Sequence, residues 1–312
     1  MRLLTYLPAA GAAPRIGVRL ADRVLELQAA ARIAGATLPG SMKALLRAGD
    51  PALDAARTVV EKAQADPQRF RDAFTGERSI RYLPPVPDLD KFLCVGKNYR
   101  AHLEELKKND LIKEMPEEVT GFVKIHSCLT GHREKVVKPA VVTHLDYEPE
   151  LVFVIGKRAL GVTKKDDWKP YVVGVTVLND LTDRDMQKRE VASGSRFWTA
   201  KNAPGFGPLG PEIVTLDEIP DAYDLWMTCA VNGEPRMRVN SREQIWKMND
   251  ILDHFSRTIP LEPGDMFATG APGGVAAGKP DAQSLYLKHG DVVECAIEGI
   301  TTLSTTIVGP QS

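Results

Sequence analysis

The stretch LDYEPELVFVIGK, residues 145–157, carries two carboxylates into a run of apolar residues. In a strand alternate residues share a face, so Glu148 and Glu150 point the same way as Val152 and Val154. Leu151, Phe153 and Ile155 take the other face. A strand apolar on both faces is a buried one. Two like charges entering a core are costly unless they are paired or bind a cation. A hard divalent ion takes oxygen ligands and resolves that cost. Asp180, which ends the apolar run YVVGVTVLND, is placed to supply a third ligand. The competing reading has Glu148 at a frayed strand end and Glu150 paired with a lysine. Pro149 supports it, because proline suits an edge strand better than a central one.

A second constellation is His102 with Glu105, inside NYRAHLEELKKND. On a helix these stand at i and i+3 and can touch. A carboxylate that orients an imidazole and stabilises its protonated form makes a general base. The same spacing is common on any solvated helix. By the same logic Lys97 and Lys124 read as solvent-facing. Two glycine motifs are rejected. GFGPLG (205–210) fits a dinucleotide fingerprint, but prolines follow it and no helix does. GGVAAGKP (273–280) ends in Pro280, which has no hydroxyl for magnesium. Both read as glycine-proline loops.

The elements that must position these residues read as strand-rich α+β. Residues 1–80 suggest strands at 2–7, 15–20 and 23–27 and helices at 41–47 and 52–65. The proline-rich RYLPPVPD (81–88) marks a boundary, giving a small α+β N-terminal domain, 1–85, and a catalytic domain, 86–312. In the second unit KFLCV, GFVKIH, ELVFVIGK and YVVGVTVLND read as strands. LWMTCAVNGEPRMRV reads as a hairpin turning at Asn232-Gly233. Residues 242–257 place Ile245, Met248, Ile251, Leu252 and Phe255 on one helical face. Residues 103–120 suggest a segment that closes over the site.

With 40 basic and 41 acidic side chains the net charge is −1, which argues against a nucleic-acid binder or a polybasic membrane-surface protein. Four scattered cysteines form no C-x-x-C, so a reducing cytoplasm is the default. No apolar run approaches the ~20 residues of a membrane span.

Taken together, the segments resemble the fumarylacetoacetate hydrolase family. FLCVGKNYRAHLEE, GFVKIHSCLTG, LDYEPELVFVIGK, VLNDLTDRDMQ, KNAPGFGPLGP, VNGEPRM and LEPGDMFATGAPGGV occur in the family's order across roughly 90–312. Residues 1–85 are similar to the variable N-terminal domain of longer bacterial members. The resemblance implies a mixed β-sandwich roll with short helices, as a homodimer. It implies Mg²⁺ or Mn²⁺, with Ca²⁺ a third candidate, on Glu148, Glu150 and Asp180. It gives catalytic roles to His102, Glu105 and Lys201, and substrate contacts to Arg184, Gln187, Lys124, Gly270 and Ala271. Ala271 stands where the family usually has threonine, whose hydroxyl commonly contacts substrate; alanine offers a methyl and slightly more room. The expected activity is metal-dependent hydrolysis of a C–C bond in a 2,4-dioxo acid of the acylpyruvate type. Decarboxylation of a 2-oxo diacid or isomerisation of a 2-hydroxymuconate uses the same enolate. A scaffold that has lost catalysis is the alternative from another class, and the intact acidic and basic residues speak against it.

Overall fold

A computed structural model of the chain describes residues 1–101, 103–104, 117–195 and 198–310. The strand that carries Glu150 and directly follows Glu148, Pro149–Ile155, is central in a twelve-stranded sheet among the described residues. The sheet includes β1 (Arg2–Leu7), β2 (Arg15–Leu20), β3 (Arg23–Glu26), β4 (Phe74–Gly76), β5 (Phe92–Gly96) and β6 (Thr120–Val123). A short edge strand, β7 (Lys135–Val137), belongs to a second sheet. The main sheet continues with β8 (Pro149–Ile155), β9 (Val172–Asn179) and β10 (Gly207–Thr215). Next come the hairpin β11 (Trp226–Val231) and β12 (Glu234–Asn240), then β13 (Met266–Ala268). The chain closes with β14 (Val292–Ile297) and β15 (Thr301–Val308). The main sheet runs β4-β3-β2-β1-β10-β9-β8-β13-β5-β6, and the second runs β12-β11-β14-β15-β7.

Every residue of β8 is buried, because each face of the main sheet is covered. Leu151, Phe153 and Ile155 pack with Met227, Val231, Ile297 and Leu303 of the second sheet. Val152 and Val154 join a core under three helices, α1 (Leu27–Ala34), α2 (Met42–Arg47) and α3 (Asp50–Ala65). The fold is therefore a strand-rich sandwich with a helical layer, as the alternation in 149–155 requires. The N-terminal strands continue the main sheet, with β1 antiparallel to β10 at Leu3↔Ile213.

Three readings of the elements are corrected. GFGPLGPEIVT contains a buried strand, not an open loop. Its prolines are tolerated because the ladder to β9 is irregular, with a register shift between Val175 and Val177. The helix read over 242–257 begins only at α5 (Met248–Ser256), after α4 (Arg184–Ala192) earlier in the chain. Residues 245–246 instead form a bend held by Asn98: Ile245 N–H donates to the Asn98 carbonyl at 2.8 Å and Trp246 N–H to Asn98 Oδ1 at 2.6 Å. Helix α1 was not foreseen, being too short for its period to stand out. The hairpin turn behaves as expected, with Asn232 at φ 53° and Gly233 at φ 79°.

Candidate metal centre and active site

Antiparallel pairing sets the site. Pro149 lies opposite Asn179 and Glu150 opposite Leu178, so the start of β8 and the end of β9 share one edge. Asp180 N–H donates to the Glu148 carbonyl at 2.8 Å, and Glu148 N–H donates to Asn179 Oδ1 at 3.0 Å. As a result, oxygen atoms of Glu148, Glu150 and Asp180 all lie within 4.8 Å of one another, and all three residues are buried. Pro149 takes the first position of a central strand, where its missing N–H does no harm.

Two lysines face these three carboxylates. Lys201 Nζ donates to Glu148 Oε2 and Asp180 Oδ2, both at 2.5 Å, and to Thr182 Oγ1 at 2.8 Å. Burial pulls its pKa down, but the charges of Asp180, Glu148 and Glu150 outweigh that and hold it above the ordinary lysine value. Lys124 is 1% exposed, which corrects its reading as a solvent-facing residue. Its ammonium donates to Asp180 Oδ1 at 2.6 Å, the Lys201 carbonyl at 2.6 Å and the Phe206 carbonyl at 3.1 Å. With Asp146 and the Arg184 guanidinium counted, four carboxylates thus share three cationic groups in a place shielded from water. Glu150 registers the excess: burial, then the charge of Asp180, pushes its carboxyl well above the usual range. Its Oε2 accepts the Gly270 N–H at 2.8 Å. An all-oxygen acidic donor set with a surplus of negative charge suits a hard divalent cation.

Arg184, at the N-terminus of α4, is 2% exposed. Its Nη1 contacts Glu148 Oε1 at 2.6 Å and donates to Gln187 Oε1 at 2.9 Å, while Nε donates to Asp146 Oδ2 at 2.8 Å. Asp183 caps the helix through the Asp185 and Met186 N–H groups. Glu190 accepts the Thr199 and Ala200 N–H groups at 2.6 and 3.1 Å, which steadies the approach to Lys201.

A cleft of about 340 Å³, counting its open mouth, is lined by Val95, Gly96, Lys97, Phe122, Glu148, Glu150, Gln187, Lys201, Gly270 and Ala271. Of the residues expected to meet substrate, Gln187, Gly270 and Ala271 line it, whereas Arg184 and Lys124 lie behind the carboxylates. His102 and Glu105, and most of the segment expected to close over the site, lie outside the described residues. Gly270 is required where it stands: at φ +94° an added Cβ would come within 2.9 Å of the Val95 carbonyl oxygen. The sequence reading missed Asp146, whose carboxylate accepts the Ala276 and Ala277 N–H groups at 2.9 Å each as well as Arg184. Its position two residues before Glu148 was the available signal. Phe122 in the lining was also missed, and Lys97 was read only as solvent-facing.

Fold and site together define a strand-rich protein with a buried acidic triad that could hold a metal ion. Residues 91–308 match the family described as fumarylacetoacetate (FAA) hydrolase C-terminal, and the chain belongs to that family. It is 32% identical over 99% of its length to the mitochondrial oxaloacetate tautomerase fahd2 of Xenopus laevis, covering 90% of that protein. It is also 32% identical to the oxaloacetate tautomerase YisK of Bacillus subtilis, over 92% of this chain and 93% of that one. Among solved structures, maleylpyruvate hydrolase from Sphingobium sp. SYK-6, in complex with manganese(II) and pyruvate, superposes with a TM-score of 0.75 at 26% identity. That match covers 100% of both chains.

Proposed function

We propose that this protein is a divalent-metal-dependent enzyme that works through the enolate of a short 2-oxo acid. The observation that carries this is the convergence of Glu148, Glu150 and Asp180 beside the Lys201 ammonium, at the floor of a cleft. Those three carboxylates would hold Mg²⁺ or Mn²⁺, with Ca²⁺ the weaker candidate. A bound ion supplies a Lewis acid for the oxygen on which enolate charge develops. Lys201 adds a second positive charge at the same end of the cleft. The Gln187 amide, oriented by Arg184, offers a neutral donor to a substrate oxygen. Phe122, Val95 and Ala271 keep water from the carbon skeleton.

Two outcomes are compatible with that enolate. We place keto–enol interconversion of oxaloacetate-like acids first, supported by relatives of that name along nearly the whole chain. Hydrolysis of a C–C bond in an acylpyruvate is the second. It is supported by the spacing of His102 and Glu105 and by likeness to a maleylpyruvate hydrolase. In it His102, oriented by Glu105, takes a proton from the attacking water, and cleavage releases a carboxylic acid and a pyruvate enolate. A working homodimer in the cytoplasm completes the reading. The test is a substrate panel of enol-form oxaloacetate and acylpyruvates, followed by ultraviolet absorbance, with Mg²⁺ or Mn²⁺ added after chelation. Turnover restored by metal supports the proposal; full activity in excess chelator overturns it. His102→Ala separates the outcomes. Hydrolysis, where it occurs, should fall by ~10²-fold or more, the usual range for loss of a general base.

A further inference from the structure

We propose that Asp146, which is not one of the three converging carboxylates, is the positioning residue that gives their site its surplus negative charge and so sets its affinity for a divalent cation. The inference rests on the metal reading of that site and deepens it. Asp146 is fully buried. The short ladder of Leu145–Asp146 with Thr182–Asp183 places it opposite Thr182, two residues upstream of Arg184. Its Oδ1 accepts the Tyr147 and Ala276 N–H groups, each at 2.9 Å. Its Oδ2 accepts the Ala277 N–H at 2.9 Å and Arg184 Nε at 2.8 Å, and Arg184 Nη2 stands 2.7 Å from the same oxygen. Every one of these partners is a donor, which suits an ionised carboxylate.

The balance of charge at the site depends on this residue. Glu148, Glu150 and Asp180 bring three negative charges, and the ion pairs that reach Glu148 and Asp180 bring three positive ones, from Lys124, Lys201 and Arg184. Those six groups alone would be neutral as a set, a closed salt-bridge knot with nothing to attract a further cation. Asp146 meets Arg184 from the other side. The guanidinium sets Nη1 against Glu148 Oε1 at 2.6 Å and turns its Nε edge to Asp146. One cation is therefore divided between two carboxylates, and Glu148 keeps part of its own charge. A buried set left with one uncompensated negative charge is costly until a cation joins it. Both Asp146 oxygens are engaged by donors, so Asp146 acts through Arg184 and not as a ligand.

The experiment titrates Mn²⁺ into the chelator-treated parent, Asp146→Asn, Arg184→Met and the double variant. Free Mn²⁺ is read by electron paramagnetic resonance, and folding is checked by circular dichroism. Asp146→Asn neutralises the set and should weaken Mn²⁺ binding by ~10-fold or more, the scale of one charge removed close to the ion in a protein interior. Arg184→Met leaves Asp146 on its three backbone N–H groups and enlarges the surplus. Mn²⁺ should then bind about threefold or more tightly than in the parent. The double variant restores the parent's balance and should bind within about threefold of it. A purely structural Asp146, holding Arg184 and the 276–277 backbone in place, would instead make both single variants weaker and leave the double variant unrecovered. Asp146→Asn binding as tightly as the parent, or Arg184→Met binding no more tightly than the parent, overturns the inference. The second criterion stands even where Asp146→Asn fails to fold. A parent that binds no Mn²⁺ overturns the metal reading instead.

Discussion

Two polar regions of this molecule look alike in composition and differ in what their charges do. One is the centre at the ends of β8 and β9. The other is the junction of β2 with the C-terminal strands, where a wide cleft of about 2100 Å³, its open mouth likewise counted, is lined by Arg2, Arg19, Arg23, Glu77, His132 and Arg133 among others. At the junction acids are answered by guanidinium forks. Arg19 grips buried Glu212 at 3.0 and 2.5 Å, Thr301 donates to the same carboxylate at 2.8 Å, and Arg133 meets Glu77 at 3.0 Å. At the acidic triad four carboxylates, counting Asp146, share two ammonium groups and one guanidinium, and Glu150 is held as a reluctant acid. The larger cavity is thus a structural seam, and the smaller cleft is the one we propose as the site. Surplus like charge that the fold maintains, not cavity size, distinguishes the two.

The comparison can be broken from either side. The largest effect expected is that of Glu150→Gln, which should abolish metal-dependent turnover in a steady-state assay. The metal-free protein should gain stability at neutral pH. The folded-state pKa of Glu150 is raised, so its contribution is favourable at low pH and is lost as pH rises through that value. Thermal melts in chelator should therefore show the variant above the parent at pH 7 and level with it near pH 4. At the junction, Arg19→Leu leaves the buried Glu212 charge with the longer Arg2 contact at 3.6 Å and the Thr301 hydroxyl, and should cost about 2 kcal/mol of stability. Its kcat/KM should be unchanged at temperatures where it is folded, as chemical denaturation and the substrate panel would show.

The third prediction uses pH at the junction. His132 accepts the Ser304 N–H at 3.0 Å, and burial, then the neighbouring Arg133, lowers its pKa to about 4. A depressed histidine is stabilising when neutral. Its contribution is present above the unfolded value of about 6.5 and is lost as pH falls from there toward 4. Denaturation midpoints should drop across that window by up to about 3 kcal/mol equivalent, at ~1.4 kcal/mol per pH decade. The drop should be smaller in His132→Gln. The smallest effect is at the cleft wall. Ala271→Thr should shift preference toward oxaloacetate over longer acylpyruvates by about fivefold in kcat/KM, the scale of one neutral hydrogen bond. Competition between the two substrates would measure it.

The sequence made some of this legible and hid the rest for physical reasons. Alternation in 149–155 revealed a strand buried on both faces, and from that the cost of Glu148 and Glu150 followed. Asp180 was visible because it ends an apolar run. Lys124 was misread because nothing local marks a lysine as buried; its partners, Asp180 and the carbonyls of Lys201 and Phe206, come from three distant segments. Asp146 was overlooked for the same reason, as its role depends on Arg184 and on the N–H groups of Ala276 and Ala277. Strand β10 was hidden by its glycines and prolines, which read as turn residues until β9 and β1 pair with them. Backbone pairing with Asn98 overrode the helical periodicity of 242–247.

The central claim, that Glu148, Glu150 and Asp180 form a divalent-cation site rather than a salt-bridge knot, is tested most directly by titrating Mn²⁺ into the chelator-treated protein. Free Mn²⁺ would be followed by electron paramagnetic resonance in the parent, Glu150→Gln and Arg19→Leu proteins. The account predicts a single saturable Mn²⁺ per chain in the parent and in Arg19→Leu, and affinity weakened by ~10²-fold or more in Glu150→Gln, as loss of one charged oxygen ligand implies. Mn²⁺ bound equally well by Glu150→Gln, or not bound by the parent, would contradict it.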